Sequence, residues 1–308
     1  MIFDTHAHYD DEAFQEDRDD LLASLPEGGI GAVTDAASTY QSLIKIKELT
    51  ERYAHVFGAF GIHPSEIDTV PGVAKIPDAD GKEPPATEPQ DADGKEPPAA
   101  KLQDADGKEL PAARIPDAVG KEPPVWFLEE LRDLCRLKKA VAVGEIGLDY
   151  HWDKDNKKQQ IEWFACQIEQ ARQLQLPVII HSRDAAADTL ATAKRMMLQD
   201  VGGVRHCFSY SVEQAREYLN MGLYLGIGGV LTFKNARKLR EVVAYAPLEQ
   251  LVLETDCPYL APVPHRGERN DSRYLPLVTA EIARIKGISQ EAAEEAAWEN
   301  ARRLYRLA

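Results

Sequence analysis

Seven side chains able to hold a metal ion close short apolar runs in this sequence: His6, His8, His63, Glu145, His181, His206 and Asp256. His6 and His8 stand two residues apart in FDTHAH, just after the acid Asp4. On a β-strand, residues i and i+2 face the same side, so both imidazoles can grip one ion. Alone, HxH reads better as a plain histidine pair, and a lone strand-end acid as a cap or ion-pair partner. Seven such groups at the ends of six strands point instead to a metal centre.

Charge and geometry divide the work among them. His6, His8 and Asp256 are expected to hold one divalent ion, His181 and His206 a second, and Glu145 to bridge the two. Two ions about 3.5–4 Å apart can clamp a phosphoryl group and activate a water. Asp256 can take the proton from that water. Mixed imidazole and carboxylate ligands suit Zn, Mn, Fe or, less tightly, Mg.

Such a set needs a scaffold that brings distant strand ends together. Eight apolar stretches read as strands: 1–8, 30–37, 55–64, 140–149, 177–184, 202–209, 222–230 and 251–259. Helical spacing marks 42–53, 127–137, 159–174, 212–222 and a C-terminal closing helix over 294–307. Repeated strand–helix alternation argues for a parallel sheet, and eight units closing on themselves give a (β/α)8 TIM barrel, an α/β fold. In that barrel the C-terminal strand ends converge on one mouth, with His63 after the third strand and Glu145 ending the fourth.

Further groups near strand ends are candidates for substrate contact. Arg266, Arg269 and Asn270 lie in a polar loop after the last strand, and arginine can grip phosphate with two hydrogen bonds. Arg183 follows His181 closely. Phe233 follows a glycine-rich turn and can stack on a base, as can Tyr150 or Trp152. The plain alternatives are surface ion pairs for the arginines and packing for the aromatics.

Composition sets outer bounds. The 308 residues are 44% hydrophobic, ample for a sizeable core, and the formal net charge is −15. That balance argues against a broad duplex-binding face. It still permits a phosphate substrate, because bound cations supply local positive charge. Four scattered cysteines, Cys135, Cys166, Cys207 and Cys257, suggest reduced thiols. With no leader pattern and no apolar run of spanning length, a cytoplasmic protein with no membrane segment is expected. No obligate protein partner is evident.

Residues 71–125 stand apart from the rest of this single domain, 1–308. A 13-residue repeat runs through Gly81, Gly94, Gly107 and Gly120, and 11 of the 19 prolines fall here. With no aromatic residue, the segment cannot bury enough apolar surface to offset its ordering entropy, so a disordered, proline-rich insertion is expected. DADG lacks the further ligands of a calcium loop.

FDTHAH, GIHP, VGEIGLDY, IIHSRDA, HCFS, GIGGVLTFKNA, LVLETDCPYLAP and RGERN together resemble the TatD-type metal-dependent DNases of the amidohydrolase superfamily. The match spans nearly the whole chain except about 70–125. The resemblance implies a divalent-metal hydrolase acting on DNA, often as a 3'–5' exonuclease on single-stranded ends. It implies the same ligands, namely His6, His8, Glu145, His181, His206 and Asp256, with His63 lining the site. Two departures stand out: Tyr210 where the family often has glycine, and Glu268 where it often has lysine. The repeat insertion is not a usual family feature.

A nuclease is therefore the leading expectation. The alternative on the same scaffold is a hydrolase of an ester, amide or lactone, since fold and ligands are shared across chemistries. A non-catalytic scaffold would leave six retained ligand groups without a purpose.

Overall fold

The computed structural model describes residues 1–78 and 122–307. Eight strands follow in chain order: β1 (Ile2–Ala7), β2 (Ile30–Ala36), β3 (Val56–Phe60), β4 (Ala140–Asp149), β5 (Val178–Arg183), β6 (Gly203–Arg205), β7 (Tyr224–Ile227) and β8 (Leu251–Leu253). Each pairs in parallel with the next. Backbone bonds then join the last strand to the first. Asp256 N–H donates to His6 O at 3.0 Å, and His8 N–H to Cys257 O at 2.9 Å. The expected TIM barrel is the observed fold, and its seam is stitched by residues of the mouth.

Nine α-helices surround the strands among the described residues: α1 (Arg18–Ser24), α2 (Tyr40–Arg52), α3 (Val125–Leu134), α4 (Lys157–Leu174), α5 (Ala186–Arg195), α6 (Val212–Asn220), α7 (Arg237–Tyr245), α8 (Leu275–Lys286) and α9 (Gln290–Leu304). Their starts are encoded locally. Thr39 accepts from Ser42 N–H and Ser42 Oγ returns a bond to the Thr39 backbone, a capping box that launches α2. Leu43, Ile46 and Leu49 then recur at helical spacing on its buried face. Gly287, at φ 68°, ends α8 in the left-handed conformation glycine adopts readily. None of these helices is long and apolar enough to cross a membrane.

The last helix does more than complete the ring. Ala301 and Leu304 of α9, with Tyr305 beyond it, pack with Phe3, Val141, Ile179 and Val204 near the strand starts. The Phe3 ring lies 5.6 Å from that of Tyr305. α9 thus closes the end of the barrel opposite the mouth.

The strand ends differ from expectation in one instructive place. Glu145 lies within β4, because the strand goes on pairing with β5 through Gly147–His181 and Asp149–Arg183. Conversely, β6 and β8 are three residues each, so His206 and Asp256 stand on the loops just beyond them. The residues 79–121, on which most of the proposed insertion falls, lie outside the described residues. Its flanks are anchored. Ile76 N–H donates to Gln159 Oε1 at 2.9 Å, Asp78 accepts from Lys158 N–H at the start of α4, and Val125 opens α3.

Candidate metal centre

Glu145 occupies the middle of the mouth, and its two oxygens face different neighbours. Oε2 lies 3.3 Å from His6 Nε2 and 3.6 Å from His8 Nε2. Asp256 Oδ1 closes that group, 3.5 Å from His6 Nε2 and 3.4 Å from His8 Nε2. Oε1 lies 2.7 Å from His181 Nδ1 and 2.8 Å from His206 Nε2. Those two nitrogens are 3.3 Å apart. All six residues named as ligands from sequence therefore meet, as two groups sharing one carboxylate.

Neighbouring groups orient each ring. His8 Nδ1 bonds the Ala36 carbonyl at 2.8 Å, which places a proton there and turns Nε2 inward. His181 is held from behind: its Nε2 lies 2.9 Å from Asp149 Oδ2. The other Asp149 oxygen accepts the backbone N–H of His151 and of Trp152, both at 2.9 Å. Asp4 ties β1 to the loops after β8, accepting from Thr255 N–H, Thr255 Oγ1 and Ser272 Oγ. His63, three residues past β3, has Nε2 3.8 Å from Glu145 Oε1 and Nδ1 2.8 Å from Ser65 Oγ.

The electrostatics favour positive charge. Burial alone would raise the Glu145 carboxyl, yet the imidazoles of His206 and His6 hold it well below the usual range. Asp256 is likewise held low against burial by the hydrogen bonds of His6 and His8. In return, His8 rises to about 9 and His6 well above its ordinary value, both against burial, through Asp256 and Glu145. His206, deeply buried and facing His6, falls to about 4. The metal-free cluster thus draws protons onto the His6 and His8 rings while His206 stays neutral. The buried Nδ1 atoms of His6 and His206 have no hydrogen-bond partner among the described residues. Convergent imidazoles around two deprotonated carboxylates fit divalent cations, which would take the place of those protons.

Not every sequence candidate reaches this mouth. The centre opens into a cavity of about 830 Å³ lined by His63 and Arg183 among others. Arg269 points elsewhere: its guanidinium makes two bonds to the Asp17 carboxylate, at 2.7 and 2.6 Å, and one to the Ala13 carbonyl. Asn270 is buried and donates to the Thr255 and Tyr259 carbonyls, bracing the loop after β8. Phe233 is only 8% exposed, and Arg266 lies over its ring at 4.4 Å, so the expected stacking face is already covered. Glu268 pairs with His265 at 2.9 Å.

Two residues were missed from sequence. Asp149 stands four after Glu145 on one strand, so the same period-two rule that paired His6 with His8 would have found it. Glu254 is buried behind His206, accepts the Cys207 N–H, and is pushed up to about 8 by burial. It stands two residues before Asp256, so the same two-residue alternation would have found it.

Comparison with known proteins fits this geometry. The family model described as TatD related DNase matches residues 3–306. An uncharacterized metal-dependent hydrolase of Bacillus subtilis (strain 168), YabD, is 33% identical over 307 residues, covering 100% of both chains. The 3'-5' ssDNA/RNA exonuclease TatD of Rahnella sp. (strain Y9602) is 35% identical over 183 residues, 58% of this chain and 69% of that protein. The crystal structure of the TatD homolog YjjV from Escherichia coli K12 superposes with a TM-score of 0.77 at 26% identity, covering 100% of this chain and 98% of that one.

Proposed function

Since this chain belongs to the TatD related DNase family of metal-dependent hydrolases, we propose that it hydrolyses DNA phosphodiester bonds, removing nucleotides 3'–5' from single-stranded ends. The observation that carries this reading is Glu145, whose two oxygens each face a separate ligand group within one cavity. Such an arrangement suits a pair of divalent ions, Mg, Mn or Zn, and a paired-metal site suits in-line displacement at phosphorus.

In this reading His6, His8 and Asp256 would hold one ion and His181 and His206 the other, with Glu145 available to both. The bound ions supply Lewis acidity towards the phosphoryl oxygens and a water acidic enough to react at neutral pH. Asp256 receives the proton of the attacking water. Its side chain is 19% exposed against 4% for Glu145, so it is the carboxylate that solvent and substrate can reach. Arg183 and His63, on the cavity wall, contact the phosphate and steady the negative charge that develops on it. Asp149 keeps His181 turned towards Glu145.

The test is digestion of 3'- and 5'-labelled single-stranded DNA after chelation, with Mg, Mn or Zn restored, comparing wild type with Asp256→Ala. Stepwise loss from the 3' end that requires both metal and Asp256 supports the proposal. No cleavage by metal-loaded protein would overturn it and direct the search to small esters, amides or lactones.

A further inference from the structure

A nuclease of this acidity needs affinity from something other than a basic groove. The cavity wall offers few cations. Lys75 is already paired with Asp68 and Asp153, at 3.4 and 3.0 Å. Arg183 has no carboxylate partner among the described residues.

The same wall carries two large aromatic side chains left open to solvent. Trp152 is 69% exposed and Tyr259 is 57% exposed, and both line the cavity of the candidate metal centre. The Tyr259 hydroxyl donates to Asp11 Oδ2 at 3.2 Å, and both side chains still leave large apolar area open on the cavity wall. Trp152 follows β4 and Tyr259 follows β8, strands half a turn apart around an eight-stranded barrel. The two residues are therefore carried into the cavity from opposite sides of the barrel.

Both are fixed in place by the centre itself. The Trp152 N–H donates to Asp149, the residue that orients His181. Tyr259 N–H donates to the Asp256 carbonyl at 3.0 Å, and the buried Asn270 holds the Tyr259 carbonyl. The Arg183 guanidinium lies over the Trp152 ring, 5.3 Å from its centre, but unlike the buried Phe233 beneath Arg266 this ring stays largely open to solvent.

We propose that Trp152 and Tyr259 are base-stacking platforms that hold the two nucleobases flanking the scissile phosphate, with Arg183 binding phosphate on the Trp152 side. This rests on the nuclease reading and specifies its substrate recognition: a single strand, gripped by its bases with little regard to their identity, because every base has a π face. Paired bases in a duplex are already stacked and do not offer those faces.

The experiment compares a single-stranded oligonucleotide with the same strand lacking its two terminal bases, using wild type, Trp152→Ala, Trp152→Phe and Tyr259→Ala. Loss of one stacked base should raise KM roughly five- to hundred-fold for either alanine variant on the intact strand, with kcat falling much less. Trp152→Phe keeps a ring and should restore KM to within about threefold of wild type. On the base-free strand wild type should itself bind poorly, and the alanine variants should lose little more. Unchanged KM in the alanine variants, or equal losses on both strands, would overturn the platforms while leaving the nuclease standing. A wild type that neither cuts the strand nor binds its phosphorothioate analogue would remove the nuclease reading and the platforms together.

Discussion

The His181 ring is held at both nitrogens, with Nε2 2.9 Å from Asp149 Oδ2 and Nδ1 2.7 Å from Glu145 Oε1. Asp149 is therefore the partner that decides which nitrogen faces the centre. Replacing Asp149 by alanine should cost about 10–100-fold in metal affinity or activity, the usual penalty for losing such a partner. Calorimetric titration with Mn or Zn checks it, and affinity unchanged in Asp149→Ala would mean that packing alone holds the ring.

Metal binding should release protons. With its pKa raised to about 9, His8 is protonated at pH 7 in the metal-free protein and must lose that proton to become a ligand. Affinity should therefore rise with pH, by about tenfold per unit for each proton displaced, and level off above the raised pKa. Titrations in buffers of different ionisation enthalpy read the proton count directly; a count of zero at pH 7 would contradict the charge state described here.

Gly147 sits between Glu145 and Asp149 with φ at 146°, and a Cβ there would lie 2.0 Å from the His181 carbonyl oxygen. Gly147→Ala must push β5 away from β4 at the point where both feed the centre. We expect a loss of about 3 kcal/mol in stability, in the range of strained-backbone and overpacking substitutions. Urea unfolding measures it, and a near-neutral result would show that the two strands separate there at little cost.

Arg269 is expected to matter for stability rather than turnover. It bridges the loop after β8 to Asp17 and lies over the Phe14 ring at 4.7 Å. Arg269→Ala should cost about 1 kcal/mol, a partly exposed ion pair plus a cation–π contact. That corresponds to a Tm lower by about 2–4 °C. Heat melts and steady-state kinetics separate the two roles; a raised KM with unchanged Tm would return Arg269 to the substrate path.

Much of this architecture is legible in the chain because it is local. Short apolar runs placed all eight strands, and the pair His6 and His8 followed from the two-residue alternation of side chains along a strand. The helices around Leu43 and Trp163 showed their apolar faces plainly. α5 did not, because its buried face is built from Thr189, Thr192 and Ala193, which no hydrophobic count detects. The barrel itself needed only the repeated alternation of strand and helix.

What the sequence determined by itself was the family, the barrel and the set of ligand types. Each of these is written in short-range patterns of hydrophobicity or in contiguous motifs. Tertiary structure alone decided which groups meet. It split the candidate ligands between the two oxygens of Glu145, set Asp149 behind His181, turned Arg269 away to Asp17, and left Trp152 and Tyr259 exposed on the wall of one cavity. Those outcomes depend on strand register and loop direction, where a shift of one residue or one rotamer moves a charged group by several ångströms, and no local pattern records that choice.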